Sequence, residues 1–178
     1  MSWGSVARAL HWLVALLIVV LAVVGWIMKG LPTSPTKLQV YALHKSTGLT
    51  VLALVIARLL WRLYDKTRPA PPPGMPAWQV HAAAVTHALF YLAILAMPVS
   101  GWLFNSASNF PLRWFGLFAV PALSGPDPAL KAAAGFAHWF VFWCIAALFT
   151  VHVAAALDHH YRIHDDVLRR MGFGGGTT

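Results

Sequence analysis

The chain has 178 residues, 59% of them hydrophobic and only 10% charged, and carries a formal net charge of +8 and nine histidines. With a mean hydropathy of +0.66 this composition excludes a soluble globular domain and points to a membrane protein. Its positive charge is therefore read against a lipid surface, with no nucleic-acid partner expected, and the single cysteine, Cys144, excludes an internal disulfide.

Four stretches are long enough to cross about 30 Å of hydrocarbon as helices. The first, Ala9 to Met28, is interrupted only by His11. It is longer than a signal-peptide core and is followed by no small-residue cleavage pattern, so it is expected to remain in the protein. Lys29 to Lys37, with Pro32 and Pro35, reads as a short loop. The second span, about Gln39 to Leu60, is the weakest because Lys45 and Arg58 lie near its ends, where both can snorkel to the interface; a buried kink is its competitor.

Thr67 to Pro76 holds five prolines and is expected to be an extended connection that cannot be helix. The third span, Val85 to Phe104, has only Thr86, His87 and Ser100 as polar side chains. Asn105 to about Pro128 is a linker whose aromatic segment, Phe110 to Val120, is expected to lie flat on the membrane surface. The fourth span, Phe136 to Leu157, includes His138, Thr150 and His152. The tail from His159 reads as a polar continuation of the last helix, fraying into Gly174, Gly175 and Gly176. Trp3, Trp12, Trp26, Trp61, Trp102 and Trp114 lie near span ends, where interfacial belts place indoles. The expected architecture is a single all-α membrane domain over residues 1–178, a four-helix up-down bundle.

Four spans put both termini on one side. That side collects Arg8, Arg58, Arg62, Lys66, Arg68, Arg162, Arg169 and Arg170, against Lys29, Lys37, Lys45, Arg113 and Lys131 on the other, which favours cytoplasmic termini. The outer side has one acid, Asp127, beside those five cations, a field that would draw in small anions.

His138 and His152 are fourteen residues apart, four helical turns or about 21 Å, so one helix presents two imidazoles to nearly the same azimuth. By depth, His44 and His138 share an outer level, while His11, His87 and His152 share an inner one. Imidazole is a strong axial ligand for haem iron, and ionisable groups within a bilayer are functional candidates. Two bis-histidine haems fit the two levels, although spacing leaves open which inner histidine partners His152. A metal or proton path competes, but the spans lack carboxylates and the levels are too far apart for one zinc.

The segments Arg8-Ala-Leu-His11-Trp12 and His44-Lys-Ser-Thr-Gly48 with Arg58 and Arg62, then His87 with Tyr91, Pro98 and Gly101, resemble the bacterial cytochrome b561 family. So do His138 through His152 into Asp158-His159-His160-Tyr161, and Asp166 to Met171. The resemblance covers essentially the whole chain and extends to the haem-bearing subunits of membrane hydrogenases and formate dehydrogenases. It implies two b haems inside the bundle, His11 with His152 at the inner one and His44 with His138 at the outer one, leaving His87 a non-ligand.

Anionic haem propionates need cations or water, for which Arg58 is the inner candidate and Lys45 and Lys131 the outer ones. His159 lies two turns beyond His152 and, with His87, is a candidate proton relay to a quinone. The resemblance includes superoxide oxidases, oxidoreductases that take an electron from superoxide at the periplasmic face of the inner membrane and reduce ubiquinone. That is the expected function. The alternatives are a cytochrome b anchor subunit for a periplasmic dehydrogenase or hydrogenase, and a histidine-lined metal transporter without haem.

Overall fold

In a computed structural model, which describes residues 2–65, 67 and 69–172, four long helices follow one another: α1 (Ser5–Gly30), α2 (Pro35–Tyr64), α3 (Ala77–Ala107) and α4 (Pro128–Asp158). All four are long and apolar enough to cross a membrane. Lys66, Arg68 and the glycines Gly174 to Gly176 lie outside the described residues. Each expected span lies within one helix, and each helix runs past it, because the flanking sequence supplies helix starts. At α2 the Ser34 hydroxyl accepts from the Lys37 N–H at 3.2 Å, with Pro35 in the first turn. At α4 the Asp127 carboxylate accepts from the N–H groups of Ala129 and Leu130 at 2.8 and 3.0 Å, again followed by proline. The loop between α1 and α2 thus shrinks to Leu31–Ser34, and the weak second span is one continuous helix.

Packing follows chain order, α1 on α2, α2 on α3 and α3 on α4. The core is Val14, Val51, Val55, Ala93, Ile94 and Ile145, with Val55 fully buried. Outward faces carry large exposed apolar side chains such as Leu16, Trp26, Leu60 and Trp78, the surface that hydrocarbon covers in a bilayer.

The two ends of the bundle are closed differently. At one end, the segment expected to lie flat is a two-stranded hairpin, β1 (Arg113–Trp114) against β2 (Phe118–Ala119). Its turn uses positive φ at Phe115 (46°) and Gly116 (75°), the primed geometry that suits a twisted hairpin. The hairpin is seated on α2: the Ser46 hydroxyl accepts from the Phe115 N–H at 3.0 Å and donates to the Arg113 carbonyl at 3.3 Å. One turn on, the Trp114 indole donates to the Thr50 hydroxyl.

At the other end, α4 continues through a π-helical turn, His159–Ile163, as expected for the start of the tail. His164 then takes a left-handed conformation (φ 58°) and the chain turns back. Residues 165–172 strap across the start of α1, where Arg8 and the Trp12 indole donate to the carbonyls of Gly172 and Met171 at 2.5 and 2.8 Å. Arg170 joins Asp166 at 2.9 Å and donates to the carbonyl of Ala70 in the proline-rich connection. From Asp165 to Gly172 the tail is a docked strap and not a further continuation of the last helix. The indoles of Trp12, Trp102 and Trp114 all donate to protein acceptors, so three of the expected belt residues also fasten loops.

Candidate functional site

The fourteen-residue spacing seen on α4 recurs on every helix. His11 and Gly25 lie on α1, His44 and Arg58 on α2, His87 and Gly101 on α3, and His138 and His152 on α4. Each helix therefore turns one face toward a common seam at two levels. The level nearer the hairpin gathers His44 and His138, with glycines on the other two helices. The level nearer the tail gathers His11, His87 and His152, with Arg58 on the remaining helix.

At the hairpin level the rings of His44 and His138 face each other with centroids 6.5 Å apart. At the tail level His11 and His152 stand 6.3 Å apart, and His87 stands 5.7 Å from His152. An imidazole nitrogen sits about 2 Å from a bound transition metal, so two trans imidazoles on one ion would have centroids about 6 Å apart. The His44–His138 and His11–His152 pairs fit that requirement. His87 is close enough to touch His152, so distance alone does not exclude it.

The ring environments differ. His138 Nδ1 lies 3.0 Å from the Met97 carbonyl and 3.1 Å from the Ser100 hydroxyl, which itself donates to Met97 at 2.8 Å. A carbonyl can only accept, so the proton is on Nδ1 and Nε2 presents a lone pair. Nδ1 of His11 and of His44 is buried without a hydrogen-bond partner among the described residues. A buried nitrogen left unpaired costs about 1–3 kcal/mol, which is tolerated when the ring is held for another purpose. Among the described residues no group of three or more His, Cys, Asp or Glu side chains is arranged to hold a metal ion. Facing pairs are the arrangement found, and they suit the two axial positions of a haem iron better than a zinc or copper site.

The cationic candidates separate by level. Arg58 is at the tail level, near enough to His11, His87 and His152 to act on each electrostatically, and its guanidinium lies 5.7 Å from the Tyr91 ring. Arg62 lies 5.5 Å from the same ring. At the hairpin level Lys45 donates to the Asn105 side-chain carbonyl at 3.0 Å, and Lys131 stands 5.9 Å over the Phe104 ring. Beyond the tail level, His159 Nδ1 lies 2.5 Å from the Asp165 carboxylate.

Sequence reasoning missed three of these participants. Asn105, 5% exposed, had been the first residue of a linker; it is the last turn of α3, accepting from Lys45 and donating to the Phe110 carbonyl at 2.8 Å. Asp165 reaches His159 only because the chain reverses at His164. Ser100 was visible as a polar residue in an apolar span, but its role depends on lying against α4.

A family model for prokaryotic cytochrome b561 matches residues 2–174. The chain is 32% identical to cytochrome b561 homolog 2 of Escherichia coli (strain K12), over 95% of this chain and 90% of that one. It is 31% identical to cytochrome b561 homolog 1 of the same organism, over 91% and 92%, and 29% identical to a probable superoxide oxidase, CybB, of Yersinia pestis, over 96% and 95%. With four membrane-length helices bringing histidines together in facing pairs, the chain belongs to the prokaryotic cytochrome b561 family: it is a bacterial multi-pass membrane protein that binds b-type haem and transfers electrons.

Proposed function

We propose that this cytochrome holds two b haems, one between His44 and His138 and one between His11 and His152, and that it oxidises superoxide and reduces ubiquinone. The observation that carries the reading is the pair of facing imidazoles at each of two levels, with centroid separations of 6.5 and 6.3 Å. His87 is assigned no axial role: of the two rings beside His152, His11 at 6.3 Å matches the 6.5 Å separation of the outer pair more nearly than His87 at 5.7 Å. The hairpin end faces the periplasm and the termini lie on the cytoplasmic side of the inner membrane, as the excess of arginine and lysine there favours.

When bound, the haems supply one-electron redox centres at two depths of the bilayer. The overall reaction is balanced as two superoxide anions, each losing one electron to become dioxygen, with ubiquinone gaining two electrons and two protons. The protein's own contributions follow from charge and position. At the hairpin end Lys29, Lys37, Lys45, Arg113 and Lys131 make a positive field, while the one acid, Asp127, is engaged by the α4 N–H groups. An anionic substrate is steered there and product dioxygen, being neutral, is not retained. Arg58 at the tail level, and Lys45 and Lys131 at the hairpin level, are the cations offered to propionates. At the tail end His159, held by Asp165, and His87 are the side chains that hold protons for the quinone.

The test uses purified, haem-loaded protein supplied with enzymatically generated superoxide and a soluble ubiquinone. Lys45→Glu and Lys131→Glu should slow quinone reduction and flatten its dependence on ionic strength. Rates and salt response equal to the parent would remove superoxide steering. A stoichiometric dehydrogenase or hydrogenase retained through purification would instead make the protein an anchor subunit.

A further inference from the structure

The seam repeats every fourteen residues, yet its two levels are built differently where they do not carry the facing pair. At the tail level α2 and α3 present Arg58 and His87, whereas at the hairpin level α1 and α3 present Gly25 and Gly101. Each of these glycines lies directly against an imidazole of the neighbouring helix. A Cβ added at Gly25 would stand 3.1 Å from Cε1 of His44 and 3.7 Å from its Nδ1. One added at Gly101 would stand 3.1 Å from Cε1 of His138 and 3.3 Å from its Nδ1. Among the described glycines these two alone touch a histidine.

Both sit inside long helices, where glycine is less favourable than alanine, so local helix formation does not account for them. In both cases the Cε1–Nδ1 edge of the ring faces the glycine, and Nδ1, next to Cγ, is one of the two ring atoms that sweep furthest when the ring turns about its bond to Cβ. Bare backbone at that edge leaves room for the ring plane adopted, and a methyl group at 3.1 Å would make the ring shift, rotate or tilt. His138 has a second restraint in the Met97 carbonyl and Ser100 hydroxyl, whereas His44 has a buried Nδ1 without a hydrogen bond and is positioned by packing.

We propose that Gly25 and Gly101 are positioning residues that set the ring planes of His44 and His138, and so the electronic character of the outer haem alone. The inference rests on the two-haem reading. Were the two rings to hold one haem iron, the angle between their planes, 70° in this structure, would influence the splitting of the iron d orbitals and hence the low-field EPR signal of the ferric state. The tail-level pair has no glycine against either ring and is not subject to this control.

The experiment compares EPR spectra and redox titrations of purified, oxidised, haem-loaded parent with Gly25→Ala, Gly101→Ala and Gly48→Ala. Gly48 is also inside α2, but an added Cβ there finds nothing within 4 Å. Gly25→Ala and Gly101→Ala should each move or abolish one low-spin signal, the one also lost in His44→Ala, and shift that haem's midpoint potential. The other signal should stay at its parental field, and Gly48→Ala should match the parent throughout. Unmoved signals in both variants, or equal movement of both signals, would overturn the proposal.

Should either variant fail to accumulate, the same change is placed in the His44→Ala or His138→Ala background. With the opposing ring removed, it should accumulate as that parent does; continued failure would show that the glycine serves something other than the imidazole. Fewer than two low-spin signals in the unaltered protein would instead refute the two-haem reading itself, so the two failures are distinct.

Discussion

Ser100→Ala isolates the contribution of a single hydroxyl to the outer haem. Ser100 is 9% exposed, and its oxygen lies 3.1 Å from Nδ1 of His138 while donating to Met97 at 2.8 Å. Its lone pair therefore shares the Nδ1 proton with the Met97 carbonyl, 3.0 Å away. Drawing that proton outward makes the imidazole more basic and favours the more positive ferric iron. Alanine removes one of two acceptors and should raise the outer midpoint potential. A net hydrogen bond is worth about 1 kcal/mol, and for one electron about 59 mV corresponds to about 1.4 kcal/mol, which sets a ceiling of about 40 mV. Because Met97 remains, a rise of about 10–40 mV is expected. The assay is a potentiometric titration followed in the visible region, with the two haems assigned through His138→Ala. A fall in potential, or a shift confined to the inner haem, would refute the reasoning.

Three further outcomes follow from local geometry. Ser46→Ala removes the oxygen that ties the hairpin to α2; at about 1–3 kcal/mol, hydrogen exchange across Phe115 to Leu117 should accelerate about 5- to 150-fold while α3 is unchanged. Asp127→Ala removes the acceptor for two N–H groups at the start of α4 and should cost about 1 kcal/mol, read as a lower thermal midpoint. Arg170 holds the Asp166 carboxyl below its ordinary range. That contribution to strap docking is fully present above about pH 4 and is lost as pH falls through the lowered value, so acid should increase proteolysis between Asp166 and Met171. Asp166→Asn should reproduce the increase at neutral pH.

The four helices were legible because each carries an apolar window that no alternative element in a membrane can satisfy. Their true ends were less so: the expected third span began at Val85, but α3 begins at Ala77, after Pro76, since the alanine-rich turns before the span, which include Gln79 and His81, remain helical. The two levels of the seam were visible as spacing, because a fourteen-residue offset is nearly a whole number of turns, but which inner histidine opposes His152 was not. What sequence could not supply were contacts between segments far apart. The hairpin depends on Ser46 accepting from Phe115, and the strap on Arg8 reaching Gly172. Aromatic content in Phe110 to Val120 suggested only affinity for a lipid surface, whereas Phe115 and Gly116 at positive φ fold it into a turn. Asn105 likewise reads in sequence only as the start of a linker, and folding brings Lys45 within 3.0 Å of it.

The most direct test of two haems on one seam is the haem-to-protein ratio, with a reduced-minus-oxidised visible spectrum, of the purified protein and of His138→Ala and His152→Ala. The account predicts about two low-spin b haems per chain, with each variant losing or altering a different one. Fully folded protein, expressed with haem supplied, that binds one haem, or two variants that affect the same haem, would contradict it.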